Sequence, residues 1–156
     1  METEDVCYTL EAGLEKAIEM EARNFATYRD AYRRIQSDRV KVVVKETALA
    51  ALEHRYALEK AFFEETVALQ DSGGSSTVMN LAVMLADQPL DAEATEQDVM
   101  IHAIHSTKRI VDFYRGMATQ CSGAPMEGLF RRLLAEESDH LAGLESLYES
   151  IYMPDN

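Results

Sequence analysis

The stretch Leu133-Leu134-Ala135-Glu136-Glu137-Ser138-Asp139-His140-Leu141-Ala142-Gly143-Leu144 lies inside the most regular pattern of the chain, and two of its residues break that pattern. Over about 125–151 the positions Met126, Phe130, Leu133, Glu137, His140, Leu144, Leu147 and Ile151 step alternately by four and three. Residues at that spacing line one side of an α-helix, so the row predicts a helix whose apolar side faces a core. Glu137 and His140 stand in the middle of the row, one turn apart. Charged side chains are almost never fully buried unless they are paired or bound to metal. The stretch therefore predicts a helical bundle with a polar centre.

Three further rows complete the bundle. Cys7, Leu10, Leu14, Ile18, Glu21, Phe25, Tyr28, Tyr32 and Ile35 mark a first helix over about 7–36, apolar or aromatic except at Glu21. Val40, Val43, Thr47, Ala51, His54, Leu58 and Ala61 mark a second over about 38–69, opened by Ser37-Asp38, which suit a first turn. Met100, Ile104, Thr107, Val111, Tyr114 and Met117 mark another over about 98–119. Between the second and third of these, 70–97 begins with Gln70-Asp71-Ser72-Gly73-Gly74-Ser75-Ser76-Thr77 and reads as a long crossover. A connection of that length can run along the whole bundle, whereas the short turns near 37 and 121–125 can only join antiparallel neighbours. The reading is an all-α four-helix bundle of two hairpins, a single domain over 1–156.

The hairpins repeat one another. With a shift of 86 residues and no gaps, Ala17, Ile18, Arg23, Tyr28 and Arg29 fall on Ala103, Ile104, Arg109, Tyr114 and Arg115, while His54, Leu58 and Glu59 fall on His140, Leu144 and Glu145. One shift that holds across two helices, their loop and a residue as rare as histidine points to a duplicated hairpin, and so to pseudo-twofold symmetry.

Composition narrows the function classes. Against 28 Asp and Glu stand 15 Lys and Arg, a formal net charge of −13. Such a chain repels phosphate, which argues against nucleic acid and anionic membrane surfaces as partners. No apolar run approaches the roughly 20 residues of a membrane span. The start, Met1-Glu2-Thr3-Glu4-Asp5, is acidic where a signal peptide is basic, and Cys7 and Cys121 form neither a CxxC pair nor a disulfide framework. Both features suit a cytoplasmic protein.

Glu21, His54, Glu137 and His140 all lie on rows that face the interior. Bundle cores use Glu-x-x-His pairs and single glutamates to bind two metal ions, and iron, manganese and zinc all accept carboxylate and imidazole ligands. Here the resemblance becomes specific. Ala135 to Glu149 resembles the last helix of the rubrerythrin family in the ferritin-like superfamily. Ala17 to Tyr28 resembles that family's first helix, in which a ligand glutamate precedes a tyrosine by seven residues, as Glu21 precedes Tyr28. Phe113-Tyr114 resembles the end of the matching third-helix motif. The resemblance asks for glutamate at two more positions, which hold Ala51 and Thr107. By the same resemblance Glu21 and His54 serve one metal, the position of Thr107 serves the other with His140, and Glu137 bridges.

Four of six expected metal ligands thus remain, Glu21, His54, Glu137 and His140, and the count predicts one iron or zinc ion rather than two. Glu53 and Glu136 read as solvated, His102 and His105 as pointing away from the Thr107 face, and Tyr28 and Tyr114 as packed aromatics rather than donors to a metal carboxylate. The resemblance implies a cytoplasmic homodimer with a non-haem iron site that reduces peroxide or handles iron. Without a four-cysteine module of its own, such an oxidoreductase needs an external electron donor. Two rivals remain open: a non-enzymatic protein in which one metal stabilises the core, and a helical interaction protein whose four polar residues are linked by hydrogen bonds.

Overall fold

The computed structural model describes residues 10–70, 90–123 and 126–154, with side chains described from 12 to 64 in the first of these stretches. Among these residues there are four helices and no strand. They are α1 (Leu10–Tyr32), α2 (Asp38–Gln70), α3 (Glu96–Gln120) and α4 (Glu127–Tyr152). α1 packs along α2 and α3 along α4, two hairpins that close into an all-α ferritin-like four-helix bundle. Residues 71–89 of the long connection lie outside the described part. Among the described residues no helix is long and apolar enough to cross a membrane.

Local chemistry sets the helix ends. Ser37 Oγ accepts a hydrogen bond from the Val40 N–H at 3.4 Å as α2 begins. Thr95 and Asp98 form a reciprocal capping box, Thr95 Oγ1 accepting from the Asp98 N–H at 3.1 Å and Asp98 Oδ2 from the Thr95 N–H at 3.0 Å. This box starts α3 at Glu96, two residues before the start read from the apolar row, because the cap lies outside that row. The carboxylate of Glu96 also accepts from the Gln36 and Ser37 N–H groups at 2.6 and 3.2 Å, which ties the turn of the first hairpin to the start of the second. Gly123, at φ +84°, supplies the left-handed residue in the turn before α4.

The interior is layered along the bundle. One apolar layer joins Leu14, Met20, Leu58, Met117, Phe130 and Leu133. The other joins Tyr28, Val40, Val44, Met100, Ala103 and Leu144. Between the two layers on their own helices stand Glu21, His54, Thr107 and Glu137, all buried, with Thr47 at the edge of the second layer. Each apolar layer excludes water from one end of this polar layer. Truncating a residue such as Phe130 to alanine would cost about 3–5 kcal/mol by opening a cavity beside it.

Cys121 is buried and disulfide-bonded. The two-cysteine composition therefore does not argue for a reducing compartment as the sequence reading held. Cys7 lies outside the described residues.

Candidate metal centre

Glu21 comes from α1, His54 from α2 and Glu137 from α4, and their ligand atoms lie within 4.8 Å of one another. His54 Nδ1 is 2.9 Å from Glu137 Oε2 and 3.5 Å from Glu21 Oε2. Neither approach has hydrogen-bond geometry. Among the described residues His54 Nδ1 and Glu21 Oε1 are buried without a hydrogen-bond partner.

The other face of the ring explains this. His54 Nε2 is 2.8 Å from Glu136 Oε1, and a carboxylate can only accept, so Nε2 carries the proton. In the neutral ring Nδ1 is then the nitrogen with the free lone pair, and it lies beside the two buried carboxylates. An outer carboxylate that fixes the tautomer in this way is a recurrent feature of metal-binding histidines.

The electrostatics are those of a site short of positive charge. Burial pushes the Glu21 carboxyl above the ordinary carboxylate range, with His54 opposing and the charge of Glu137 adding to the rise. Burial acts on Glu137 in the same sense, but His140 and His54 outweigh it and hold that carboxyl below its usual value. Burial disfavours a charged His54, yet Glu137 and Glu21 raise its pKa to about 10. Two carboxylates and one imidazole are thus buried together, and any charge left on them is costly. A cation bound at Nδ1 and the carboxylate oxygens would offset that cost and give both orphaned atoms a partner. Glu21, His54 and Glu137 together could hold a metal ion.

Tyr114 supports the site from α3. Its hydroxyl donates to Glu21 Oε2 at 2.6 Å, and burial together with the Glu21 carboxylate keeps the phenol protonated. Tyr114 is therefore a donor to the cluster and not only a packed aromatic. Tyr28, its counterpart in the repeat, has its hydroxyl 2.9 Å from His102 Nδ1.

His140 is not brought into the cluster. Thr47 Oγ1 donates its one hydrogen to the Val43 carbonyl at 2.8 Å, so it must accept from the His140 Nε2–H, also at 2.8 Å. The other ring nitrogen, Nδ1, lies 3.4 Å from Glu137 Oε1. Ala51 and Thr107 are both buried, and no carboxylate is present at either position to build a second site.

Sequence reasoning missed two participants. Glu136 is half exposed and next to an inward residue, so it read as solvated although it holds His54. Thr47 stood on the inward row of α2 but carried no charge to single it out. The available signal was its polarity in an otherwise apolar row.

A family model described as rubrerythrin matches residues 13–148. No curated protein and no solved structure gives a significant match. Matched over most of its length, this four-helix chain belongs to the rubrerythrin family, whose members typically bind iron.

Proposed function

We propose that this protein binds one metal ion, iron or zinc, through Glu21, His54 Nδ1 and Glu137, with Glu136 and Tyr114 holding two of these ligands in place. The observation that carries the reading is the buried cluster itself: His54 Nδ1, without a hydrogen-bond partner, and the carboxylate oxygens of Glu21 and Glu137 lie within 4.8 Å of one another, while Glu136 holds the far side of the ring. Bound iron would supply one-electron redox chemistry there, whereas zinc would supply charge and rigidity. Three protein ligands leave at least one coordination position open. Because the ion would bind only the folded chain, it would also stabilise the bundle.

Family membership favours a second reading, an oxidoreductase acting on peroxide or iron. Cleaving an O–O bond by reduction takes two electrons, and a single iron provides one at a time. That activity would depend on a separate electron donor. The one-ion reading therefore places metal binding ahead of peroxide turnover.

The test is elemental analysis of protein made in iron- and zinc-replete medium and purified without a metal column. One ion per chain, lost in Glu137→Gln with helicity retained, is the expected result. Two ions per chain would overturn the single-site reading and bring peroxide chemistry to the front. No metal would overturn metal binding and leave a hydrogen-bonded bundle. With one ion bound, peroxide consumption in the presence of a supplied reductant would promote the oxidoreductase reading.

A further inference from the structure

α2 has two apolar sides. The inner one joins Val40, Val44, Leu58 and Ala61 to the core. On the other side Val42, Leu49, Leu52, Tyr56 and Phe63 are exposed, Tyr56 at 68% and Phe63 at 76%. With Lys45 and Glu59 filling the gaps, the outer positions run 42, 45, 49, 52, 56, 59, 63, an unbroken alternation of three and four. That is the spacing of a seam that packs against another helix, and it extends about 31 Å along α2. Exposed apolar residues scattered singly need no explanation, but a continuous seam of this kind marks an interaction surface.

The order of residues along the seam identifies what it fits. Reading outward from Leu52, the N-terminal direction gives Leu49, Lys45, Val42 and the C-terminal direction gives Tyr56, Glu59, Phe63. Apolar residues mirror apolar residues, and the one basic position mirrors the one acidic position. Turned end for end, the seam is complementary to itself. A parallel pairing would instead set Lys45 against Lys45 and Glu59 against Glu59. Beside Leu49, a hollow of about 290 Å³ lined by Phe25, Arg29, Tyr32, Lys45 and Ala48 lies where Tyr56 of an antiparallel copy would arrive.

We propose that α2 pairs antiparallel with α2 of a second copy of this chain, with Leu52 at the twofold axis, Lys45 of each copy facing Glu59 of the other, and Tyr56 entering the hollow. The chain carries a net charge of −13, so two copies repel at long range. Two crossed Lys–Glu pairs offset part of that repulsion and fix the register. Glu59 is 3.2 Å from Arg55 on its own helix, which keeps its carboxylate on this side of α2. Lys45 and Glu59 lie about 21 Å apart along one helix and cannot meet within a chain. The pairing does not depend on the metal.

The test is sedimentation of the full chain over a range of concentrations, with helicity followed by circular dichroism, since none of the substituted positions is buried. The wild-type protein is expected to be a dimer and Leu52→Glu a monomer of unchanged helicity. Lys45→Glu alone and Glu59→Lys alone should each weaken association about tenfold or more, since each sets like charges opposite one another twice. The double reversal, and an equimolar mixture of the two single variants, should restore it. A monomeric wild type would overturn the proposal. So would a dimer indifferent to Leu52→Glu, or single reversals that the double reversal fails to rescue, which would mean that residues 71–89 or an unrelated partner cover the seam.

Discussion

His54 and His140 occupy equivalent places in the two hairpins and both turn Nδ1 toward Glu137, yet their rings meet different partners. Glu136 accepts a hydrogen bond from His54 Nε2–H, and Nδ1 lies beside the buried carboxylates. Thr47 Oγ1 accepts a hydrogen bond from His140 Nε2–H, and His140 Nδ1 lies 3.4 Å from a single Glu137 oxygen. The supporting tyrosines diverge in the same way. Tyr114 reaches Glu21, while Tyr28 faces the α3 side, where Thr107 stands in the place equivalent to Glu21, and meets His102 instead. The difference teaches that a duplicated site can lose one half without losing its fold, provided that each stranded polar group finds a neutral partner.

The strongest way to break this comparison is to rebuild the degenerate half. Ala51→Glu with Thr107→Glu puts two carboxylates into a layer closed to water. Without metal each is expected to cost several kcal/mol, seen as a large fall in melting temperature. With iron or zinc in excess the loss should be largely recovered and the metal content should rise from one ion per chain to two. A ratio that stays at one would mean that the halves differ in backbone geometry as well as in ligands.

A smaller effect is expected at the outer carboxylate of the intact half. Glu136→Gln keeps size and packing but leaves a weaker acceptor that no longer requires the proton on Nε2. Metal affinity should fall about 10- to 100-fold. Stability without metal should change little, because the side chain is half exposed. Titration of the metal-free protein with zinc, followed by calorimetry, separates the two effects. Unchanged affinity would remove Glu136 from the site and with it the account of the His54 tautomer.

The two tyrosines test the same contrast from α1 and α3. Tyr114→Phe removes a hydrogen bond donated to a buried carboxylate and should cost about 1.5–3 kcal/mol. Tyr28→Phe removes a bond to a histidine and should cost about 1 kcal/mol. Equal losses in denaturant titrations would mean that the carboxylate adds nothing to the first bond.

The fold was largely legible because apolar rows at helical spacing must be buried, and the same logic exposed Glu21, His54, Glu137 and His140 as misfits in those rows. The repeat then paired the two histidines. Which nitrogen of each ring meets which neighbour was not legible. That depends on how α2 and α4 are rotated and shifted against one another, which the apolar rows alone do not fix. Glu136 was hidden because half its surface is wet, and Thr47 because a threonine on a core row needs only the carbonyl four residues before it. The outer seam of α2 was missed because a single inward row already accounted for that helix, and an outward row becomes visible only when exposure is known.

The mildest test concerns Thr47 itself. Valine has nearly the shape of threonine, so Thr47→Val preserves packing at a buried position while removing the oxygen that accepts from His140. The Val43 carbonyl retains its helical N–H partner. The His140 Nε2–H loses its acceptor, but the ring is 19% exposed and water reaches part of it. The expected cost is about 1 kcal/mol, read from denaturant unfolding of the metal-free protein. Metal content should remain one ion per chain with affinity unchanged, because the substitution leaves Glu21, His54 and Glu137 alone. Any marked gain in metal affinity would show that Thr47 restrains a ligand. His140 would then belong to the site, and the two halves would differ only in how firmly each histidine is held away from the ion.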